Sequence, residues 1–184
     1  MDLLQAAAAQ FERTVAALPA EAWDNATPCD ITVREVVEHV VAGNIFAVRL
    51  LAGAAAAEAT AGLDADNLGD DPLLAVSASC ESQRSAFAGA DEDQVLHHPS
   101  GDISVDTFVR FRLGELVVHA WDLAVGAGLD PSVDPAVVEG LWVLVEPALD
   151  EMRNMGTFGD GASGNLPQDA STQTRLLDAF GRRP

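Results

Sequence analysis

Apolar residues recur every three or four positions through most of the chain, the spacing that places them on one face of an α-helix. The first such stretch runs from about Asp2 to Leu18 and ends before Pro19. A second begins at Thr32, where Thr32-Val33-Arg34-Glu35 has the form of a capping box. Strict alternation of apolar and polar residues is scarce, so the pattern predicts helices rather than strands.

Capping signals and prolines divide the rest of the chain into further helices and loops. The remaining helices are expected to begin at Asp71-Pro72, to run from about Ser104 to Val125, to begin at Asp134-Pro135 with a kink at Pro147, and to run from about Ala170 to Phe180. Loops are expected at 59–71, 89–102 and 153–168. The fold class predicted is all-α, a four-helix bundle with additional short helices, formed as one domain over residues 1–184.

The charge of the chain excludes several partners. Ten arginines and no lysine stand against 29 acidic residues, which gives a net charge of −19. Such a chain repels a phosphate backbone and an anionic membrane surface, so neither nucleic acid nor membrane is expected as a partner. The start lacks a basic secretion signal and the two cysteines form no disulfide framework, so a cytoplasmic location is expected.

The fourth predicted helix carries a narrow polar stripe. Arg112, Glu115, His119 and Asp122 fall within about 80° of arc on the helical wheel, and most of the remaining surface is apolar. The i,i+4 spacing lets Glu115 and His119 ligate one metal ion. A solvent-exposed face joined by ion pairs would show the same spacing, so both interpretations stay open from sequence.

His39 on the second helix is a candidate third ligand, because apolar surface borders it on both sides. Bundle cores often build metal sites from facing helices, and three protein ligands leave one coordination position open, as in catalytic zinc sites. A partly exposed, hydrogen-bonded histidine is the alternative. Asn44 falls inside the apolar arc of the same helix and therefore needs a buried partner.

Cys29 and the neighbouring residues His97 and His98 are further candidate functional groups. Cys29 precedes a helix N-terminus, where it is either a reactive thiol or a small packed residue. His97 and His98 belong to the loop predicted at 89–102, which either is solvated or folds over a site.

Three segments resemble one known family. Glu115-Leu116-Val117-Val118-His119-Ala120-Trp121-Asp122-Leu123-Ala124 is similar to the E-x-x-x-H-x-W-D-L-A segment of the DinB-like, mycothiol-dependent maleylpyruvate isomerase superfamily. Thr27-Pro28-Cys29, followed by Thr32-Val33-Arg34-Glu35 and His39, resembles its first motif, and the end from Leu166 to Pro184 resembles a short subgroup of metal-binding proteins. The chain departs from the family in having Asp30-Ile31 where Pro-Gly-Trp is common.

The resemblance implies a DinB-like bundle that holds a divalent metal through His39, Glu115 and His119. Zinc is the first candidate for the metal, with nickel or another divalent ion as alternatives. The resemblance also implies mycothiol as a thiol cofactor and a position for Asp122 near metal and thiol, where this residue would orient a ligand or take a proton. Arg112 is the first candidate to bind the cofactor or an anionic substrate.

Three functions are compatible with these residues. The first is an enzyme in which the metal activates a low-molecular-weight thiol or water for thiol transfer, isomerisation or hydrolysis of a small molecule. The second is a metal-binding or stress-response module without turnover, and the third is a bundle without metal. Maleylpyruvate isomerisation itself is not carried over, because that enzyme has a second domain for which this chain leaves no room. A homodimer is compatible with an exposed apolar helix face.

Overall fold

The computed structural model describes residues 3–149 and 161–184. Its helices in these ranges, labelled α1 to α7 in chain order, are Leu3–Ala16, Val33–Leu51, Ala56–Thr60, Pro72–Ala88, Val105–Gly126, Pro135–Val145 and Thr172–Ala179. Two short strands, β1 at Val95–His98 and β2 at Gly101–Ser104, form an antiparallel hairpin. None of the helices in the described ranges is long and apolar enough to cross a membrane.

Four helices form the core of the fold. α1 packs against α4 and α5, and α2 packs against the same two helices, so the four close into a ring. Their facing surfaces are filled by fully buried side chains, among them Phe11, Val36, Val40 and Leu116. α6 covers α1 and α5, and α7 packs on α6. The prediction of an all-α four-helix bundle with additional short helices is confirmed.

The helix starts follow the capping signals of the sequence. Thr32 Oγ1 accepts a hydrogen bond from the backbone N–H of Glu35 at 3.2 Å, and the Glu35 carboxylate accepts one from the backbone N–H of Thr32 at 2.7 Å. This capping box satisfies two of the N–H groups that a helix start leaves unpaired. It therefore defines where α2 begins and, seven residues later, the place of His39.

Pro147 ends a helix where a kink was predicted. α6 stops at Val145 and the chain continues as a single 3-10 turn over Glu146–Ala148. Proline has no N–H for the i→i−4 hydrogen bond and its ring clashes with the carbonyl one turn back, so the α-helix does not pass through it. Of the loop predicted at 153–168, residues 153–160 lie outside the described ranges, and residues 161–168 carry neither helix nor strand.

The loop predicted at 89–102 contains the hairpin. Each strand has only four residues, too few for a convincing period-two pattern in the sequence. The pair Leu96 and Ile103 faces the protein, and Leu96 is fully buried. The hairpin packs against α2 and α5, so tertiary contact stabilises a pairing that is marginal in isolation.

The C-terminal segment is anchored to α5 by a close approach. The Phe180 ring lies against Gly114, where a Cβ atom would come within 2.6 Å of two ring carbons. Glycine at position 114 therefore lets the ring pack directly on the helix backbone. This contact brings the tail after α7 alongside the C-terminal half of α5.

Candidate metal centre

The polar stripe of α5 faces the interior of the protein. Arg112 is 5% exposed, His119 8% and Asp122 0%, while Glu115 is partly buried. These groups point inward because α5 is packed against α1, α2, α6 and β2. The interpretation of the stripe as a solvent-exposed face is wrong.

The three predicted ligands converge across α2 and α5. His39 Nε2 lies 2.7 Å from Glu115 Oε2, and His119 Nε2 lies 3.3 Å from the same oxygen. The two imidazole rings meet edge to face with their centroids 5.1 Å apart. The stripe of α5 and the capped start of α2 thus bring the nitrogens of two helices to one carboxylate.

Asp122 lies behind His119, away from Glu115. Its Oδ2 is 2.9 Å from His119 Nδ1, and its two oxygens accept hydrogen bonds from Arg182 at 2.8 and 2.7 Å. A carboxylate engaged in this way orients the imidazole and leaves Nε2 facing Glu115. Of the roles predicted for Asp122, orientation of a ligand is the one that this geometry supports, and its full burial separates it from any proton on a substrate.

Sequence reasoning assigned no role to Arg182. Its guanidinium forms a bidentate pair with Asp122 across 60 residues of chain, and Phe180 against Gly114 holds the tail in place. The resemblance of the Gly181-Arg182-Arg183 segment to a family tail was the available signal. The sequence alone does not show that this tail reaches the buried Asp122 carboxylate.

The protonation of the cluster follows from these contacts. Burial opposes charge on Glu115, but hydrogen bonds from His119 and His39 hold the pKa of Glu115 well below its usual value. Burial also opposes charge on His119, yet its bonds to Asp122, Cys29 and Glu115 raise the pKa of His119 well above 6.5. The Arg182 pair keeps the pKa of the buried Asp122 low. The cluster therefore holds a proton on His119 between two carboxylates.

The donor set fits a divalent transition-metal ion. His39, Glu115 and His119 each offer one ligand atom, and these atoms lie within 4.8 Å of one another. Ligand atoms around a tetrahedral ion with bonds of about 2.1 Å are separated by about 3.4 Å, close to the observed spacing. Two imidazoles and one carboxylate suit zinc, and metal-ligating histidines commonly bond a carboxylate through their other ring nitrogen, as His119 Nδ1 does with Asp122.

An apolar cavity of about 350 Å³ opens beside the cluster. Its lining includes His39, Arg112 and Glu115, and comes from α2, α3, α5 and the turn of the hairpin. Phe46, Phe108, Phe111 and His98 supply the aromatic surface, with His98 in ring contact with all three. A small apolar ligand can therefore lie next to His39 and Glu115.

The hairpin separates the two histidines that sequence reasoning kept together. His98 turns into the cavity and its burial lowers its pKa, whereas His97 faces outward and pairs with Asp102 at 2.8 Å. Neighbouring strand residues point to opposite faces, which is why one histidine reaches the site and the other does not. The solvated-loop interpretation thus holds for His97 and is wrong for His98.

Arg112 lies in the cavity wall within a buried polar network. Its Nε donates to Gln83 Oε1 at 2.8 Å, and its Nη2 donates to Asn44 Oδ1 at 3.0 Å. Asn44 in turn donates to Ser79 Oγ at 3.0 Å, which supplies the buried partner that the sequence demanded. Burial lowers the pKa of Arg112, but an arginine remains protonated at any pH at which the protein is folded.

Cys29 lies on the opposite side of His119 from His39. A tight turn over Thr27–Ile31, with Asp30 at a φ of 63°, places its thiol 3.1 Å from Thr27 Oγ1. Its sulfur, a His119 nitrogen and an Asp122 oxygen lie within 4.8 Å of one another. The thiol is half-buried and packs against the core.

The fold and the site define a four-helix bundle with a candidate metal centre between α2 and α5, where His119 is buried and His39 is exposed. A family model supports the same class: the Mycothiol maleylpyruvate isomerase N-terminal domain matches residues 4–124. The chain belongs to this family. His39, Glu115, His119 and Asp122 lie inside the matched stretch, and Arg182 lies outside it.

Comparisons with curated proteins and with solved structures say less about the function of the site than the family model does. Two uncharacterized proteins of Mycobacterium tuberculosis, one from strain CDC 1551 / Oshkosh and one from strain ATCC 25618 / H37Rv, are each 27% identical over 127 residues. The match covers 68% of this chain and 65% of each relative. No solved structure matches.

Replacing Arg182 should destabilise the protein. Arg182→Gln leaves the buried Asp122 carboxylate without its bidentate partner, so we expect the free energy of unfolding to fall by about 3 kcal/mol. Urea unfolding followed by circular dichroism measures the change. Arg84→Gln is the matched control: both side chains of its pair with Glu81 are exposed, and its loss should cost about 1 kcal/mol or less. Equal losses in the two variants would contradict the assigned role of Arg182.

Proposed function

We propose that the protein is a metal-dependent enzyme that uses a low-molecular-weight thiol, or water, on a small-molecule substrate. The observation that carries this proposal is the convergence of His39, Glu115 and His119, two of which, His39 and Glu115, line an apolar cavity. A structural metal site would be closed by a fourth protein ligand, whereas three ligands beside a cavity leave room for a reactant. Zinc is the proposed ion, with nickel or another divalent ion as the alternatives.

A divalent ion bound there would supply Lewis acidity, which lowers the pKa of a thiol or water so that a nucleophile is present at neutral pH. Mycothiol is the proposed thiol, and family membership is what supports it. The reaction class is thiol transfer, thiol-assisted isomerisation or hydrolysis.

Other residues of the chain would position the ligand His119 and enclose the substrate. Asp122, clamped by Arg182, holds His119 so that its Nε2 faces Glu115. Phe46, Phe108 and Phe111 exclude water from the side of the cavity where a substrate would lie. His98, kept neutral by burial, offers the remaining polar edge of the wall.

Removing a ligand should abolish metal binding. We expect His39→Ala to lower zinc affinity by more than about 100-fold, because two ligands remain of three. Elemental analysis after purification and a competitive zinc titration give the occupancy and the affinity. His97→Ala is the matched control, since His97 is an exposed histidine outside the cluster. Full zinc occupancy in the His39 variant would contradict the ligand assignment.

Zinc affinity should depend steeply on pH. His119 holds its proton with a raised pKa, and that proton must leave before Nε2 can bind an ion, so affinity should still rise with pH above about 6.5 and level off only above the raised pKa of His119. Calorimetry in two buffers of different ionisation enthalpy counts the proton released, about one for each ion bound. Asp122→Asn removes the strongest contact that raises the pKa of His119 and should shift the rise to lower pH, whereas Asp102→Asn at the surface pair should leave it in place. An affinity independent of pH over this range would count against the site.

Thiol-dependent turnover separates the enzyme from a passive metal-binding module. Zinc-loaded protein should consume mycothiol in the presence of a soft electrophile drawn from a panel of epoxides, quinones and unsaturated carbonyl compounds. Mass spectrometry identifies the adduct or isomer, and a hydrolysis panel without thiol tests water as the nucleophile. His119→Ala should abolish the activity and His97→Ala should retain it. Turnover that survives removal of the ion would refute the mechanism, and zinc binding without any turnover would favour the module.

A further inference from the structure

Arg112 carries a buried positive charge without a direct counter-ion. It is 5% exposed, and within the described ranges its hydrogen-bond acceptors are all neutral: Gln83 Oε1, Asn44 Oδ1 and the Val40 carbonyl oxygen. Glu115, one turn away, acts on it through space without forming an ion pair. A buried charge that is solvated only by dipoles is costly, so such a cation is usually matched by an anion.

One nitrogen of the guanidinium is left for a ligand. Nε and Nη2 make the three contacts to Gln83, Asn44 and Val40, and Nη1 has no acceptor among the described residues. Nη1 lies against Gly43, where a Cβ atom would come within 2.5 Å of it. Both Gly43 and Arg112 line the cavity. The missing side chain at position 43 therefore gives the guanidinium its place in the cavity wall.

Charge balance at the proposed metal centre also calls for a second anion. Neutral His39 and His119 with one Glu115 carboxylate would leave a divalent ion with a net charge of about +1. Arg112 adds a second positive charge, whereas Asp122 and Arg182 compensate each other. An anionic reactant held at the centre by His39, Glu115 and His119 would balance one of the two charges, and Arg112 would remain for the anion of a substrate.

The rest of the cavity specifies the body of that substrate. Phe46, Leu63, Phe108 and Phe111 present hydrocarbon, and the volume of about 350 Å³ is ample for one aromatic ring with a short chain. We infer that the cavity binds a small organic carboxylate, with its carboxylate on Arg112 Nη1 and its apolar body among these four side chains. This inference rests on the proposed function only for the charge count. The net charge of −19 repels anions at long range, so recognition depends on this short-range contact.

The test compares phenylacetate with phenylacetamide, its neutral counterpart of nearly the same shape. Calorimetric or NMR titration of the full chain, both zinc-loaded and metal-free, gives the two affinities. We expect phenylacetate to bind at least about tenfold more tightly in both forms, because a hydrogen bond between charged partners replaces a neutral one. Similar affinities for the two probes, or no binding of either, would overturn the inference.

Variants show whether Arg112 carries the preference. Arg112→Gln should remove the preference for the acid while leaving phenylacetamide affinity within about twofold, and Arg112→Lys should keep part of it. Arg110→Gln is the matched control: it removes the same charge from the same helix, outside the cavity lining. If the preference appears only with zinc and survives Arg112→Gln, the carboxylate binds the ion and the assignment to Arg112 is wrong.

The two proposals fail independently. Zinc binding is measured by the titration of the His39 variant and its control, without any organic ligand. Loss of the zinc site with a persistent preference for phenylacetate in metal-free protein would refute the proposed function alone. A zinc site with no discrimination between acid and amide would refute only the carboxylate subsite. A circular dichroism spectrum that matches the wild-type spectrum shows that Arg112→Gln folds normally. The comparison of acid with amide in the wild-type protein needs no variant.

Discussion

The burial of the Asp122 carboxylate is the constraint from which much of the site follows. A fully buried negative charge is tolerated only when it is paired and hydrogen-bonded, and Arg182 and His119 together provide this. The Arg182 pair attaches the C-terminal tail to α5, and the His119 contact orients an imidazole towards Glu115. One electrostatic requirement thus links the end of the chain to the geometry of the candidate metal centre. Because Arg182 lies outside the stretch matched by the family model, the matched domain does not contain every residue that shapes its own site.

The charges of the site are arranged in two layers along α5. The opposite charges of Asp122 and Arg182 compensate each other. Glu115 faces His39 and His119 beside the cavity. Arg112 lies one turn before Glu115, held by amide and carbonyl dipoles rather than by a carboxylate. α5 can support this arrangement because the residues that flank the stripe, from Leu113 to Ala124, are apolar and packed, which excludes water from the interactions between the charges.

The cavity depends on elements that lie far apart in sequence. α2 and α5 supply the ligand residues and all three phenylalanines, and the hairpin between α4 and α5 adds His98. His97 and His98 are neighbours in sequence with opposite environments, because the pleat of β1 sends one to solvent and the other to the aromatic wall. Gly43 and Gly114 act in a similar way: each omits a side chain so that Arg112 or Phe180 can approach a helix backbone.

Periodicity and capping were sufficient to predict the helices and the four-helix bundle, because helical spacing is local. They offered His39, Glu115, His119 and Asp122 as candidates, and the family resemblance selected these residues as one site. The sequence could not decide whether the α5 stripe faces solvent or the interior, since both give the same spacing. It also left the hairpin as a loop, and His98 and Arg182 without roles. Those features depend on contacts between segments distant in sequence: Leu96 against the bundle, Phe180 on Gly114, and Arg182 on Asp122. Burial, which turns a polar stripe into a site, is a property of how the helices pack, and only the tertiary structure decided it.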